Sequence, residues 1–401
     1  MQINKGVVKG SIALLIAFNI YNALNFFFHF AMVRMMSIAE YGVLASLFSI
    51  IYILAVFTES IQTVITKYTA KEQNKGKLKN ILKKSFKKSI FIAVILFIIY
   101  IFVAIPLSLL MKIDYKLMIL NGGMIILAFL SPITRGILQG KKKFNALGFN
   151  MIIEAVSKFI IALILVFIGL SVYGAIIGTI LGVGIAFGLS FLNIRDIMKV
   201  KEEKASTEGI YGYTKPTFLI MLAILAFYSI DIIIVKIFFP EEIAGAYAIA
   251  SILAKIIFFG TQPISRAMFP ISAENNFEEK KSNNAFMNAF VILFLGIIAA
   301  LAVFYFFPDF IIKTFSGKDI NAAARIIFYL GIAISLVSLA NLVLLYKLSI
   351  GKIKGYPYLY VFIVLEIFLL SWFSKDLVQF SIAFVTASAA FLWGSIMLVN
   401  E

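Results

Sequence analysis

Glu154 and Lys158 stand four residues apart inside an apolar run, the order and spacing that place an acid and a base on one face of a helix. The pattern reads equally as a structural ion pair and as part of a substrate site. Glu366 has Leu370 at the same spacing, so it has no partner of that kind on its own helix. It reads as a protonatable coupling group or as a neutral acid hydrogen-bonded to another helix. Asp231 and Lys255 interrupt two further apolar runs. Lys255 is too deep to snorkel and calls for Asp231, a glutamate or an anionic substrate beside it. Arg34 and Arg325 lie near helix ends, where a long side chain reaches the interface. His29, the sole histidine, falls among phenylalanines and reads as a packed residue rather than a proton relay, and Glu59 as one bordering the inner headgroups. A charge at the bilayer centre costs roughly 2.5–3.5 kcal/mol, so each deep one must face a partner or a wet cavity.

These residues form no catalytic set. The chain has no cysteine, no zinc-ligand spacing and no glycine-rich phosphate loop. No cofactor is expected, and nucleotide-driven transport is not expected from this chain alone.

The elements that hold these charges must be membrane helices. Of the 401 residues, 62% are hydrophobic and 14% charged, too few polar side chains to cover a soluble surface. Apolar runs of about 20 residues recur, each long enough to cross a hydrocarbon core of roughly 30 Å as a helix, and they lack the two-residue alternation of barrel strands. The first run reads as a retained helix rather than a cleaved signal. The expected fold is all-α and polytopic, with about twelve transmembrane helices near 10–32, 41–66, 89–111, 116–138, 149–169, 172–193, 214–237, 243–266, 284–307, 322–346, 356–374 and 377–398. Two pseudo-symmetric six-helix bundles, 1–198 and 214–401, are joined by a polar linker at 199–213.

Alternating the helices puts most of the 36 basic residues, Arg135 among them, on one side. Only Arg34, Lys112, Lys116, Lys236, Lys313, Lys318 and Lys375 fall on the other, and Lys158, Lys255 and Arg325 lie within helices. That bias predicts cytoplasmic N and C termini. It also accounts for the net charge of +16 without nucleic acid. The stretch from Lys67 to Lys88 is the most basic, with Leu78, Ile81, Leu82 and Phe86 at helical spacing. It reads as a positive-inside loop or as a helix lying on anionic lipid headgroups. Gly174, Gly178 and Gly182 give the sixth helix one small-residue face for close packing.

A shift of about 203 residues brings Gly42 onto Gly245 and Ala45 onto Ala248. Glu154 and Glu366 follow two similar Gly-Lys pairs, Gly140-Lys141 and Gly351-Lys352, at nearly equal distances. Each half thus carries one carboxylate at a similar place in its fifth helix, as in parallel-repeat transporters whose substrate site lies between the halves.

The stretch SIDIIIVKIFFPEEIAGAYAIAS, with PISRAMFPISAE after it, resembles the seventh-to-eighth helix junction of polysaccharide flippases. RMMSIAEYGVLASLFSIIYIL and GILQGKKKFNALGFNMIIEAVSKFIIALILVFIGLSVYGAIIG resemble the matching first-half regions. The family is the Wzx-type flippase and polysaccharide biosynthesis group of the MOP superfamily, which also holds MATE drug exporters and the lipid II flippase. The resemblance implies two bundles opening alternately to either side of the cell membrane. It also implies a polyprenyl-phosphate- or pyrophosphate-linked oligosaccharide as substrate, bound by a cationic cavity. Asp231, Gly42, Gly245 and Tyr247 match the family pattern. From their depth, Lys158 and Lys255, helped by Arg34 and Arg325, are expected to bind the phosphate, and Glu366, Glu154 and Asp231 to couple ions. Expected partners are the lipid-linked oligosaccharide, anionic headgroups at Lys67 to Lys88, and glycan-assembly enzymes. A cation-coupled MATE-like exporter is the main alternative. A membrane-embedded glycan polymerase is a remote one, since the longest outer loop runs only from Pro308 to Asn321.

Overall fold

A computed structural model describes residues 5–205, 215–274, 279–351 and 354–398, and among these every regular element is helical. Of the expected linker, residues 206–213 lie outside the described ones. The first seven helices are α1 (Lys5–Met35), α2 (Ile38–Lys71), α3 (Lys75–Met111), α4 (Tyr115–Gly140), α5 (Phe144–Leu165), α6 (Ser171–Asn193) and the short α7 (Arg195–Met198). There follow α8 (Lys215–Phe238), α9 (Glu241–Glu274), α10 (Glu279–Phe306), the short α11 (Pro308–Ser316), α12 (Asn321–Ser349), α13 (Leu359–Trp372) and α14 (Leu377–Met397). Among the described residues, ten helical stretches are long and apolar enough to cross a membrane, and α13 belongs to a shorter apolar one.

Local sequence explains where the helices begin. Ser37 and Glu40 form a capping box before α2, each accepting the other's backbone N–H. Asn74 caps α3, Asp114 caps α4 and Asp376 caps α14, each accepting N–H groups of the first turn. One crossing-length stretch, Phe144–Asn193, has 50 residues. A π turn at Val166–Leu170, with Gly169 at φ 96°, breaks it into α5 and α6. These two fold back on each other along the glycine face. A Cβ on Gly174 would lie 2.9 Å from the Leu165 backbone, one on Gly178 2.5 Å from that of Ala162, and one on Gly182 2.6 Å from that of Lys158. The small-residue stripe therefore does what its spacing predicts.

The helices fall into two compact units, 1–36 with 54–215, and 37–53 with 216–401. The expected halves assigned all of α2 to the first bundle, whereas the structure divides this helix: Ser37–Ile53 packs in the second unit and the rest in the first. The reason is a glycine crossing. A Cβ on Gly42 would stand 2.8 Å from the Gly245 Cα, and one on Gly245 only 2.0 Å from the Ile38 carbonyl oxygen. Backbone thus meets backbone there. Gly42 and Gly245, paired by the sequence repeat, are each the fifth residue of their helix.

The basic stretch from Lys67 to Lys88 also departs from the surface-helix reading. From Lys75 it is the opening of α3, a continuous helix of 37 residues and about 55 Å, well beyond the roughly 30 Å of hydrocarbon. Its apolar face is turned inward. Leu78 and Leu82 are buried with Ile65, Ile133, Ile137, Leu138, Leu147, Ile194 and Ile197, and Phe86 packs against that core. The residues after α6 clasp the same turns. Lys83 pairs with Glu202 at 2.5 Å and Lys75 with Asp196 at 3.1 Å. Asn80 donates to Glu202, and Lys79 donates to the Met198 and Val200 carbonyls.

Candidate functional site

Among the described residues, the buried charges other than Lys236, which faces Glu241 at 3.8 Å, gather in two clusters, one in each unit. In the first unit, Glu154 sits on α5 under α4 and α1. Arg135 Nη2 donates to Glu154 Oε2 at 2.6 Å, and the Tyr21 hydroxyl donates to Oε1 at 2.9 Å. Arg135 Nε donates to Asn150 Oδ1 at 2.8 Å, and the Asn150 amide donates to the Ala186 carbonyl at 2.5 Å. The network thereby ties α1, α4, α5 and α6 together. Glu154 and Asn150 are four apart on α5, so both face α4. Lys158, one turn on, donates to Asn25 Oδ1 and lies over the Phe28 ring at 4.4 Å.

The sequence leaves open whether Glu154 and Lys158 form an ion pair or a substrate site; the structure brings Arg135 to Glu154 as an ion-pair partner. That arginine was expected among the inner-surface charges. It is instead buried at 8% exposure, because the last turns of α4, from Ser131 to Leu138, are buried on all sides. The α4 sequence contains Ser131 and Thr134 in this region and Asn121 nearer its start, small or polar groups that mark a helix enclosed by protein rather than lipid.

In the second unit, Asp231 on α8 and Lys255 on α9 are both fully buried and joined at 2.9 Å. Asp231 Oδ2 accepts from the Ser251 hydroxyl at 2.8 Å and from the Tyr247 hydroxyl at 3.1 Å. Tyr247, Ser251 and Lys255 recur every four residues along α9 and form one polar stripe against Asp231. The Lys255 ammonium also lies over the Tyr228 ring at 4.6 Å. Glu366 on α13 is fully buried, and neither of its carboxyl oxygens has a hydrogen-bond partner. It lies within electrostatic reach of both Asp231 and Lys255. Glu154 and Glu366 keep the register of the repeat: each lies ten residues beyond the start of its helical segment, Phe144 for α5 and Tyr356 for the 3-10 turn that leads into α13.

The remaining expected site residues lie apart from these clusters. Arg34 is exposed at the end of α1 with its guanidinium 4.3 Å from the Phe30 ring. Arg325 is exposed on α12 and lines a surface hollow with Pro308, Asp309, Asn321 and Ala324. His29 is buried edge-on to Phe28 at 5.3 Å. Among the described residues no group of three His, Asp or Glu side chains is arranged to hold a metal ion. Sequence reasoning missed Arg135, Asn150, Tyr21 and Asn25. Their signal was faint: single polar residues on helices otherwise rich in apolar ones.

No curated protein matches the chain in sequence. Several solved structures share its fold. An inward-facing multidrug resistance MATE family transporter of the MOP superfamily superposes with a TM-score of 0.77 at 16% identity, over 98% of this chain and 97% of that one. The lipid II flippase MurJ, in an inward closed conformation, gives 0.72 at 15%, over 97% and 87%. A MOP superfamily transporter from Pyrococcus furiosus, described as having a binding pocket of reversed polarity, gives 0.65 at 16%, over 98% and 94%. A family profile described as "Polysaccharide biosynthesis protein" matches residues 31–325. This multi-span helical membrane chain, folded like the MOP transporters, belongs to the polysaccharide biosynthesis protein family.

Proposed function

We propose that the protein moves an oligosaccharide linked to a polyprenyl phosphate or pyrophosphate from the inner to the outer leaflet of the cell membrane, for assembly of a surface glycan. The observation that carries this reading is a joint one: a polysaccharide-biosynthesis family chain has the fold of a transporter. A biosynthetic family needs a carrier wherever sugars are joined to lipid on one side and polymerised on the other. The chain acts as that carrier and not as a catalyst.

In this reading the helices make twelve crossings, with α5 and α6 counted separately and α13 included, and both termini face the cytoplasm. The two bundles open alternately to either side. Lys158 and Lys255 meet the anionic headgroup on its way, with Arg34 and Arg325 nearer the outer surface. Glu366, Asp231 and Glu154 answer to the coupling ion. The lysines of the basic stretch from Lys67 to Lys88 that face solvent touch anionic headgroups. Glycan-assembly enzymes receive the flipped product.

A second reading, cation-coupled export of a drug or metabolite, draws on the higher TM-score to the multidrug transporter than to the flippase. Sidedness of the cell's lipid-linked glycans separates the two. With an enzyme or lectin added from outside, loss of the protein is expected to trap lipid-linked oligosaccharide on the inner leaflet. Unchanged sidedness, with changed resistance to cationic drugs, would transfer the function to the exporter reading.

A further inference from the structure

In the second unit the short helix α11 joins α10 to α12, and the join carries a hollow of about 280 Å³. Pro308 and Ala324 supply its apolar lining, and Asp309, Asn321 and Arg325 its polar lining. The sequence explains why these five meet. Pro308 and Asp309 open α11. Asn321, Ala324 and Arg325 stand three and four residues apart in the first turns of α12, so they share one face of that helix.

The depth of the hollow follows from its flanks. The crossing-length stretch of α10 ends at Phe306, and that of α12 begins at Asn321. The hollow therefore lies where two membrane helices leave the hydrocarbon. Tyr305, Phe306, Phe307 and Phe310 are exposed beside it, and Tyr305 packs edge-on to Phe328 at 5.2 Å. Aromatic rings exposed at the ends of membrane helices sit at the level of the headgroups. Bilayer lipid is thus the molecule that meets this hollow at the highest concentration.

The charges of the hollow select among lipids. Lys313 and Asp319, in the same connection, pair with each other at 3.0 Å. Among the described residues Asp309 and Arg325 form no ion pair, although both are exposed and line one hollow. A purely anionic ligand is attracted by Arg325 and repelled by Asp309. A zwitterion satisfies both: its phosphate accepts from the guanidinium and the Asn321 amide, and its ammonium donates to the carboxylate. The volume falls just below the roughly 300–1,000 Å³ of small-molecule sites, which suits a headgroup and is too small for an oligosaccharide.

We propose that this hollow binds the headgroup of a bilayer phospholipid that carries both a phosphate and a primary ammonium. Arg325 and Asn321 take the phosphate, and Asp309 takes the ammonium. The exposed rings flank the acyl chains. The site rests on one unit and stands whether or not the protein carries a lipid-linked oligosaccharide; Arg325 has a ligand in the resting membrane as well as on the route proposed for the cargo.

The test is native mass spectrometry of the purified full-length chain in dodecyl maltoside, equilibrated with phosphatidylethanolamine or with phosphatidylcholine at equal concentration. The two lipids share the phosphate and the net charge, and only the first has N–H donors for Asp309. The wild type is expected to retain the ethanolamine lipid at least about threefold better, the scale of one exposed charge pair. Asp309→Asn is expected to retain the two lipids alike, and Arg325→Gln to weaken retention of both. Lys313→Gln alters a charge pair outside the lining and is expected to keep the wild-type preference. Equal retention of the two lipids by the wild type would overturn the proposal. So would a preference that survives Asp309→Asn, undiminished retention by Arg325→Gln, or a preference lost in Lys313→Gln. All three side chains are exposed, so the variants are expected to purify, and the wild-type comparison tests the proposal even without them.

Discussion

Glu154 and Glu366 occupy corresponding places in the two units and have opposite surroundings. Glu154 is bound by a guanidinium and a phenol, and the guanidinium is itself held by Asn150. Glu366 is more deeply buried and has no hydrogen bond. The first network is satisfied at every step and fastens four helices. The second leaves an acid waiting beside a lysine committed elsewhere. A duplicated position is a rivet in one unit and a buried acid without a hydrogen bond in the other. Burial alone does not distinguish them, whereas the tally of donors does.

The difference is open to test, starting from the largest expected effect. Arg135→Ala strands Glu154 in a buried site, and its cost is expected to be about 3–5 kcal/mol, read as a large fall in Tm or loss of monodisperse protein. An Arg135→Ala protein of wild-type stability would show that the network is no rivet. Lys255→Ala likewise removes the cation beside a buried carboxylate. Ser251 and Tyr247 still donate to Asp231, so the expected cost is smaller, about 2–3 kcal/mol. Equal losses at the two sites would erase the contrast drawn from donor number.

Glu366→Gln is expected to stay within about 1 kcal/mol of wild type, since it removes no hydrogen bond, yet to abolish transport in the sidedness assay. Transport at the wild-type rate would reduce Glu366 to a packing residue. The smallest effect is expected outside the membrane. Hydrogen bonds from Lys83, and then Asn80, hold the Glu202 carboxyl below its usual range. A group whose folded-state value is depressed contributes its stability above the ordinary glutamate value of about 4.3 and loses it as the pH falls below. Glu202→Gln, or acidification below that value, is expected to lower the amide-exchange protection factors over 199–205, and Glu202→Gln to leave Tm at neutral pH unchanged. A shift in Tm at neutral pH would mean that the clasp bears on the core.

Much of this was legible in the sequence because it depends on period and depth. The apolar runs located the helices. The glycine face of α6 forecast its approach to α5, and the shift of about 203 residues singled out Gly42 and Gly245. Lys255 was too deep for water, and Asp231 was among the partners named for it. What escaped depends on neighbours distant in the chain. Arg135 falls in the last turns of a helix, where the usual fate of a basic residue is the inner surface; only α1, α5 and α6 folded around it reveal a buried ion. The basic opening of α3 has a helical apolar face whether it meets lipid or protein, and periodicity cannot choose between them. The division of α2 was hidden because a helix continuous in sequence gives no sign of where its packing partners change.

That division bears on how the chain can move. Side chains that interlock across a helix pair must be withdrawn one by one when the pair parts. At Gly42 and Gly245 there are none to withdraw: two smooth backbones lie against each other. Beyond Ile53 the same helix is keyed into another unit. Within the second unit the Gly42–Gly245 contact is thus one that no side chain locks, while further along α2 Tyr52 interlocks with the Tyr228 and Phe259 rings.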